Sequence, residues 1–296
     1  MRKDLRLLLP IVVLALVAAA CGSDADETTT TAQATTTTAT AEEETTTTTA
    51  EEETTTAAVS GAVDLGGRTV TVAVENAYPP YNYIPEGQSD GAGWDYDVWR
   101  EICVRLNCIA EFVEAVWPDL IIETGQGVYD TAGDGISITE ERKGTVAFSD
   151  PYMTVQQKLM IRLDEDRFAT VQAFVDAVDS RLGTQVGTTN YELGASILGG
   201  EDRIDAYDVF GLAVQALISG DVDAVIIDDT AGQGFKGVSA DELKLIDEAL
   251  QSDPLGFIYA HDSDLIDPVN QVLKEMADDG FLDQMGFKWF VEFESA

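Results

Sequence analysis

The sequence has little positive charge, one histidine and few cysteines, and each shortage argues against a class of function. Of its 296 residues, 17 are lysine or arginine and 54 are aspartate or glutamate, which gives a net charge of −37. A field of that sign argues against nucleic acid or anionic lipid as a partner. The single histidine, His261, leaves no Ser/His/Asp or Cys/His set, and with three cysteines it argues against a structural zinc site. We therefore expect no cofactor, no metal and no enzyme activity.

The sequence also lacks an apolar run long enough for a comfortable membrane span. Residues 7–20 form a shorter apolar run behind a positively charged start, a pattern typical of a secretory signal. The run ends in alanines directly before Cys21, which resembles a bacterial lipoprotein signal, although Ala18 stands where leucine is more common. The resemblance implies a signal peptide over residues 1–20, cleavage before Cys21 and lipidation of its thiol. The alternative is a plain signal peptide with a chance cysteine.

Residues 24–58 are almost entirely threonine, alanine and glutamate, without apolar periodicity. Nothing in such a segment offsets the entropy lost on ordering it. We therefore predict that residues 21–60 form a disordered acidic tether that holds the folded part away from a membrane. The remainder, residues 61–296, is long enough for a large core or for two lobes.

Two cysteines, Cys103 and Cys108, remain once Cys21 is assigned to lipid. Cys103 falls on a predicted helix and Cys108 begins the next predicted strand, so a short loop separates them. Disulfides are common in exported proteins, and we predict one here that closes the helix-to-strand turn. The alternative is two free buried thiols.

Predicted strands and helices alternate along the folded part. We predict strands over residues 69–74, 110–114, 128–132, 158–162, 181–186 and 222–227, and helices over 98–106, 140–144, 171–178, 191–198, 209–219 and 268–277. The first helix has Val98, Ile102 and Leu106 on one face, with Asp95 or Asp97 as its predicted cap. The alternation argues for an α/β fold with largely parallel sheets.

Polar residues follow four of the predicted strands directly. In open α/β sheets, ligands bind just beyond the carboxyl ends of the strands, so we expect these residues to share one cleft. In chain order they are Glu75 and Tyr78, then Asp134, Gly135 and Ser137, then Thr188 and Thr189, and finally Asp228.

The segment 130–142 has the features of a carboxylate receptor. Glycines on both sides of Asp134 let the backbone approach a guest closely. Ser137 and Thr139 offer hydroxyl groups, and free N–H groups at the predicted helix start favour an anion. Arg142 adds a planar, permanently charged fork that suits a carboxylate. The alternative is an ordinary capped helix with a solvated arginine.

A glycine motif at residues 232–237, GQGFKG, matches the GxGxxG spacing of dinucleotide-binding loops. It does not directly join a predicted strand to a long predicted helix, as such a loop must. We therefore assign it no nucleotide.

Six motifs occur in the order in which one protein family carries them. They are AYPPYNY at 77–83, GWDYDVW at 93–99, GISITEERKGTVAFSDPY at 135–152, GTTNYELG at 187–194, VDAVIIDD at 222–229 and DDGFLDQMGFKWF at 278–290. Residues 66–293 thereby resemble the family 3 bacterial extracellular solute-binding proteins. Members of that family are two-lobed receptors for amino acids and similar polar solutes, and they work with ABC importers.

This resemblance implies an α/β, two-lobed periplasmic-binding-protein-like fold of type II. Lobe one would combine residues 61–155 with 253–296, and lobe two would span 156–252. The chain would cross between the lobes twice, near 154–157 and near 252–255. A hinge of two segments allows rigid-body closure around a ligand.

The resemblance also implies roles for the backbone-binding candidates. Arg142 would pair with the α-carboxylate of an amino acid, helped by the backbone N–H groups of Ser137 and Thr189. Asp228 would accept the α-ammonium group, together with the Gly135 carbonyl and the Ser137 hydroxyl.

The remaining candidates would meet the side chain of the ligand. Tyr78 and Trp117 match aromatic residues that enclose it, although plain core packing also fits Trp117. Glu75 stands where several relatives carry a side-chain-recognising acid, and Asp134 where many relatives have alanine or serine. Burying two carboxylates together is costly without a cation, which favours a basic or polar ligand. The competing explanation is that the whole surface is acidic.

We therefore expect the extracytoplasmic, lipid-anchored substrate-binding component of an ABC importer. It would act as a monomer, capture an L-amino acid and deliver it to a permease. Two alternatives remain open from the sequence: a cyclohexadienyl (prephenate or arogenate) dehydratase-like enzyme that uses the same cleft, and an extracytoplasmic sensor module.

Overall fold

The computed structural model describes residues 63–238 and 242–293. The predicted signal peptide, the lipidation site Cys21 and the predicted tether lie outside the described residues. Within the described ranges, no helix combines the length and apolar character needed to cross a membrane.

The described chain alternates short strands with helices. The strands are β1 Arg68–Val74, β2 Ala77–Tyr78, β3 Asn82–Tyr83, β4 Cys108–Glu114, β5 Thr131–Ala132, β6 Ala147–Phe148, β7 Met153–Arg162, β8 Leu182–Gln185, β9 Ile204–Tyr207, β10 Ala224–Asp228, β11 Leu243–Leu245, β12 Gln251–Leu255 and β13 Ile258–Tyr259. The α-helices are α1 Trp94–Leu106, α2 Asp119–Gly125, α3 Val171–Asp176, α4 Thr189–Leu198, α5 Phe210–Ser219, α6 Asp229–Val238, α7 Ile266–Asp278 and α8 Phe281–Phe290, and a 3-10 turn covers Arg142–Gly144.

Lobe 1 consists of β1–β6 and β13 with helices α1, α2, α7 and α8. Its main sheet has the strand order β4-β1-β5-β13-β6. Strand β1 is parallel to β4 and β5, whereas β13 is antiparallel to β5 and β6. Val98, Ile102 and Leu106 of α1 are buried in one core cluster with Val72 and Val74 of β1. The apolar face predicted for the first helix is therefore confirmed.

Lobe 2 consists of β7–β12 with helices α3–α6. Its sheet has the order β11-β7-β10-β8-β9, and β12 also pairs with β7. Strand β8 is parallel to β9 and β10, but β7 is antiparallel to β10, β11 and β12. The sheet is therefore less parallel than predicted. The reason is topological, because β7 carries the chain into the lobe and β12 carries it back out.

The two predicted crossings form a hydrogen-bonded ribbon. Thr154 pairs with Pro254 and Gln156 with Ser252 where β7 and β12 run side by side. Beyond the ribbon, the backbone N–H of Ile138 in lobe 1 donates to the Pro254 carbonyl at 2.8 Å. The two-lobed α/β fold and its two crossings are confirmed, while the lobe boundaries at residues 155 and 252 stay predictions.

The predicted disulfide is confirmed. Cys103 of α1 is bonded to Cys108 at the start of β4, with a Cα–Cα distance of 4.4 Å. Between them, Asn107 ends the helix in a left-handed conformation, with φ of 53°. The bond thus closes the turn that leads from helix to strand.

The predicted strand over residues 128–132 is too long, since β5 covers only Thr131–Ala132. At Asp130, hydrogen bonds that each involve one side chain take the place of backbone-to-backbone strand pairing. Its carboxylate accepts the backbone N–H of Thr71 at 2.8 Å, and its own N–H donates to the Thr71 hydroxyl at 2.8 Å. A side-chain bridge therefore replaces the backbone ladder at this point.

The predicted aspartate cap of the first helix is wrong. The helix begins one turn earlier, at Trp94, and its N-cap is Gly93, which makes no side-chain cap bond. Gly93 has φ of 137°, and a Cβ there would lie 2.1 Å from the Tyr81 carbonyl oxygen. Close backbone packing thus sets the helix start, and Asp95 is drawn into the core.

Candidate functional site

One cavity between the lobes collects the polar residues that follow the strand ends. The empty space between its walls, open solvent at the mouth included, is about 300 Å³. All ten predicted binding residues line it: Glu75, Tyr78, Trp117, Asp134, Gly135, Ser137, Arg142, Thr188, Thr189 and Asp228. Gln185, Asn190 and Phe210 also line it and were not predicted. The common position of the predicted residues agrees with the expectation that ligands bind beyond the carboxyl ends of strands. The role of each residue stays a prediction.

Among the described residues, several hydrogen bonds join lobe 1 to lobe 2 across this cavity, and four of them do not involve Arg142. Each connects a side chain on one wall to a group on the other. They run from Tyr78 Oη to Asp228 Oδ2 at 3.1 Å, from Trp117 Nε1 to the Val186 carbonyl at 3.0 Å, from Gln185 Nε2 to Glu75 Oε1 at 2.6 Å, and between the Ser137 and Thr189 hydroxyls at 3.3 Å. The structure is therefore one in which the two walls touch.

Arg142 provides the positive charge in the cavity. Its Nη1 donates to the Ser137 carbonyl at 3.1 Å and its Nη2 to the Gly187 carbonyl at 3.3 Å, so the guanidinium reaches both lobes. It also lies over the Trp117 ring, 5.1 Å from the centroid. Burial lowers the pKa of Arg142 below its ordinary value. Among the described residues it forms no ion pair, which leaves its charge available to an anionic guest.

The helix predicted over 140–144 is a single 3-10 turn, Arg142–Gly144. A single turn of that length has no significant helix dipole. The prediction that a helix start in this segment favours an anion is therefore wrong. The helix start that does line the cavity belongs to α4. Thr188 is its N-cap and accepts the backbone N–H of Tyr191 at 3.1 Å, and Thr189 and Asn190 form the first turn.

Asp228 ends β10 inside the cavity. Its two carboxylate oxygens accept hydrogen bonds from Tyr78 Oη and from Asn190 Nδ2, both at 3.1 Å. Burial raises the pKa of Asp228 to about 6, although the bonds from Asn190 and Tyr78 act in the opposite direction. A carboxylate in this position is well placed to accept a cation.

Glu75 and Asp134 form a second acidic group in lobe 1. Glu75 accepts the Gln185 amide, and Asp134 accepts the Asn82 amide at 2.8 Å and the backbone N–H of Glu75. Burial raises the pKa of both carboxyl groups, and the charge of Asp134 raises that of Glu75 further. The two acids therefore resist being ionised together.

The aromatic residues shape the space between the charges. Tyr78 is stacked on Phe210 of lobe 2, with ring centroids 5.2 Å apart. Trp117 lines the cavity and also belongs to a core cluster, so it packs in the core as one interpretation expected, and its contact with a ligand stays a prediction. Gly135 has φ of 58°, and a Cβ there would lie 3.1 Å from the Tyr78 ring. A larger residue would therefore disturb the cavity wall.

Among the described residues, no group of three or more histidine, cysteine, aspartate or glutamate side chains could hold a metal ion. The site thus consists of one guanidinium, three carboxyl groups, hydroxyl and amide groups and aromatic rings.

Comparison with known proteins gives consistent matches. The sequence model described as "Bacterial extracellular solute-binding proteins, family 3" matches residues 70–292. The L-cystine-binding protein TcyA of Bacillus subtilis is 26% identical over 225 residues, which cover 75% of this chain and 81% of TcyA.

Two solved structures cover the same part of the chain. The arginine-, lysine-, histidine-binding protein ArtJ of Geobacillus stearothermophilus has a TM-score of 0.69 and 26% identity, over 75% of this chain and 95% of ArtJ. The ancestral amino acid-binding protein AncCDT-1, described as a precursor of cyclohexadienyl dehydratase, has a TM-score of 0.69 and 28% identity, also over 75% and 95% of the two chains.

Proposed function

Because the chain belongs to the bacterial extracellular solute-binding proteins of family 3, we propose that it captures an L-amino acid between its lobes and delivers it to the permease of an ABC importer. The observation that carries this proposal is the placement of opposite charges on opposite walls. Arg142 lies in lobe 1 and Asp228 in lobe 2, and both line one cavity. A zwitterion matches that arrangement, since each of its charges meets the opposite sign.

The α-carboxylate of the ligand is held by Arg142, whose planar fork suits a carboxylate. The first turn of α4 adds backbone N–H groups at Thr189, and Ser137 adds another from the opposite wall. The α-ammonium group is accepted by Asp228, with the Gly135 carbonyl and the Ser137 hydroxyl completing its partners. This assignment uses each polar group of the cavity in its ordinary hydrogen-bonding role.

The side chain of the ligand is basic or polar and lies toward Glu75 and Asp134. Two buried acids without a cation of their own are matched best by a positively charged side chain. The Gln185 amide, 2.6 Å from Glu75, adds a polar partner on the lobe 2 wall. The likeness to ArtJ, an arginine-, lysine-, histidine-binding protein, supports this side-chain class.

Ligand binding closes the lobes. An open cleft can satisfy one wall only, and the charges on the other wall are matched when the lobes meet. The ligand therefore favours the closed state by the interaction energy that exists only in that state. The paired β7–β12 ribbon is the segment that bends.

A binding role is favoured over a dehydratase in the same cleft. AncCDT-1, although described as a precursor of cyclohexadienyl dehydratase, is itself described as an amino acid-binding protein. The two functions are separated by incubating the protein with prephenate and arogenate. Release of phenylpyruvate from prephenate, seen by its ultraviolet absorbance, or of phenylalanine from arogenate would contradict the binding role.

We also place the protein outside the cytoplasm, anchored through a lipid on Cys21. This part rests on the sequence Ala-Ala-Ala-Cys-Gly at residues 18–22 behind an apolar run. Cys21→Ser should abolish processing before residue 21 and partition into detergent. Unchanged processing and membrane association in that variant would contradict the anchor.

The proposed ligand class is tested by thermal unfolding with each of the twenty amino acids and with common polyamines. A ligand at 100 times its Kd adds about 2.7 kcal/mol to the free energy of unfolding, which a thermal shift detects readily. We expect stabilisation by arginine, lysine, histidine or glutamine. No shift with any amino acid would contradict the function, and equal or larger shifts with leucine or glutamate would contradict the side-chain class.

A further inference from the structure

Asn82 lies behind the cavity wall, and its side chain is fully buried. Its Oδ1 accepts the backbone N–H of Asn76 at 2.7 Å. Its Nδ2 donates one hydrogen to Asp134 Oδ1 and one to Asp95 Oδ2, both at 2.8 Å. A reversed amide would turn an oxygen toward two carboxyl groups and an N–H toward a donor, so this orientation is the one the surroundings allow.

The amide of Asn82 therefore holds two buried acids that face opposite ways. Asp134 lines the cavity, whereas Asp95 is sealed in the core and its Oδ1 has no hydrogen-bond partner. An ionised carboxylate with an unpartnered oxygen and no counter-charge is costly in such a place. Burial accordingly raises the pKa of Asp95 well above its ordinary value. The ionised form of Asp95 is therefore disfavoured, whereas Asp134 faces the cavity, where a ligand can reach it.

Two acids of the cavity, Glu75 and Asp134, have no role in binding the α-carboxylate and α-ammonium groups of the ligand. A bound zwitterion uses Arg142 for its carboxylate and Asp228 for its ammonium group. The remaining two acids line the same cavity, and the charge of Asp134 acts on Glu75. Neither forms an ion pair among the described residues, so a proton balances them until a ligand supplies a positive charge.

We propose that Asn82 is a specificity-determining positioning residue: it fixes the Asp134 carboxyl beside Glu75, so that this pair binds a cationic side chain in exchange for a proton. The exchange is balanced, because the protonated acid releases one proton to solvent and the resulting carboxylate pairs with the incoming cation. The inference rests on the proposed amino-acid-binding function and adds the residue and the proton that set its preference.

The groups around the pair leave no other source of positive charge. The titratable side chains that interact with Glu75 or Asp134, or face them across the cavity, are Tyr78, Asp95, Arg142, Tyr152 and Asp228. Arg142 is the one cation among them and is used by the α-carboxylate. A cationic ligand is then the partner that can replace the proton.

The test is calorimetric titration of the full-length chain with arginine and with glutamine at pH 7. Parallel titrations in phosphate and Tris, whose ionisation enthalpies differ, count the protons exchanged. We expect arginine to release about one proton and glutamine none. Arginine affinity should fall by up to about tenfold per pH unit on acidification, while glutamine affinity stays nearly constant.

Variants tie the effect to Asn82. Asn82→Ala should weaken arginine binding at least tenfold more than glutamine binding and reduce the proton release. Asn270→Ala is the matched control, because Asn270 bonds the backbone N–H of Asp150 in the same lobe, away from the cavity, and it should leave both ligands unaffected. If Asn82→Ala does not fold, Asn82→Ser replaces it: its single O–H can reach only one of the two carboxyl groups, and it should show the same selective loss of arginine binding to a smaller extent.

Two outcomes overturn the inference while leaving the binding function intact. One is arginine binding without proton release in the unmodified protein. The other is an equal loss of arginine and glutamine affinity in Asn82→Ala. Failure of every amino acid to bind at any pH would overturn the proposed function as well.

Discussion

Asp130 and Asp134 stand on either side of β5, and their surroundings are opposite in kind. The Asp130 carboxylate accepts the Thr71 N–H at 2.8 Å, the Thr71 hydroxyl at 2.9 Å and Arg68 Nη2 at 2.7 Å. Burial acts to raise its pKa, but these bonds hold the pKa below its ordinary value. Asp134 is bonded by the Asn82 amide and a backbone N–H, and burial raises its pKa.

The difference separates an acid that supports the fold from an acid that serves a site. Outside the cavity, Glu165 resembles Asp130, since it pairs with Arg167 at 2.5 Å. Asp95 is an exception, because it is buried in the core with the Asn82 amide as its donor. Inside the cavity, Glu75, Asp134 and Asp228 have neutral donors but no ion pair among the described residues. Acids like Asp130 have their cation within the chain, and we propose that the cavity acids take theirs from a ligand. Substituting the two kinds should therefore affect different measurements.

The largest effect is expected from Asp228→Ala, which should weaken amino acid binding by two or more orders of magnitude. Removing one partner of a desolvated charge pair costs about 2–5 kcal/mol, much of it from the charge left unpaired. Calorimetric titration measures the loss, and circular dichroism should show an intact fold. Arg142→Ala should weaken binding to a similar extent from the opposite wall.

The two substitutions should differ in mechanism. Asp228→Ala keeps the carboxylate clamp around Arg142, so a ligand can dock weakly on lobe 1 without closing the lobes. Small-angle scattering at saturating ligand checks this, with the unmodified protein as the closed reference. A fully closed Asp228→Ala protein would mean that this residue does not couple the ligand to the hinge.

The next largest effect is on the pH dependence of ligand-free stability. The pKa of Asp228 is raised to about 6 in the folded protein, from an ordinary value of 3.8, so its contribution to stability is complete below pH 3.8 and is lost as the pH rises through 6. The shift corresponds to about 3 kcal/mol at most. Urea unfolding between pH 4 and 8 measures this effect. The free energy of unfolding of Asp228→Asn, relative to that of the unmodified protein, should therefore increase as the pH rises.

Asp130 should show the opposite slope. Its pKa is lowered in the folded protein, so its contribution is present above the ordinary value and is lost as the pH falls through the folded value. Asp130→Asn should thus be least stable, relative to the unmodified protein, at neutral pH. Parallel slopes for the two variants would contradict the distinction between the two kinds of acid.

A smaller loss of stability is expected from Asp130→Ala, which should lower the free energy of unfolding by about 1–3 kcal/mol. The substitution leaves the Thr71 N–H without its acceptor and removes one of the two carboxylates that pair with Arg68, the other being Asp264. Urea denaturation measures the loss, while arginine affinity should stay within about threefold. A large loss of affinity without a loss of stability would place Asp130 with the site acids.

The smallest effect is expected from Gly234→Ala in the GQGFKG motif, which lies inside α6. A Cβ at Gly234 would lie 2.6 Å from the Pro79 carbonyl oxygen of lobe 1, so the lobes could not meet as they do. We expect affinity to fall by about fivefold, or about 1 kcal/mol. Gly286→Ala in α8, whose Cβ would meet its nearest neighbour at 4.0 Å, is the control and should leave affinity unchanged.

Strand topology made much of this site predictable. Polar residues at the ends of β1, β8 and β10 meet because carboxyl ends of strands converge on one crevice. Asn190 could have been found by the same reasoning, since it lies in the helix turn that begins with Thr188 and Thr189. Phe210 carries no chemical signature, and its place in the wall depends on how α5 packs against Tyr78.

Other features depend on contacts between distant residues and left no local signal. Asn82 and Asp134 are 52 residues apart in the chain. The bonds from the Asn82 amide to Asp134 and Asp95 follow from the packing of β3 beside the segment after β5. Helix α6 was not predicted because three glycines lower its helix propensity. The close approach of the helix to Pro79 explains Gly234 in a way that sequence spacing alone could not.

Whether the ligand brings the cation that the cavity acids lack is tested most directly by comparing arginine with citrulline. The two molecules have nearly the same shape, but citrulline carries an uncharged urea group in place of the guanidinium. Competitive calorimetry at pH 8 gives the ratio of their affinities. We expect arginine to bind at least tenfold more tightly than citrulline, and equal affinities would show that the cavity acids do not need a cation from the ligand.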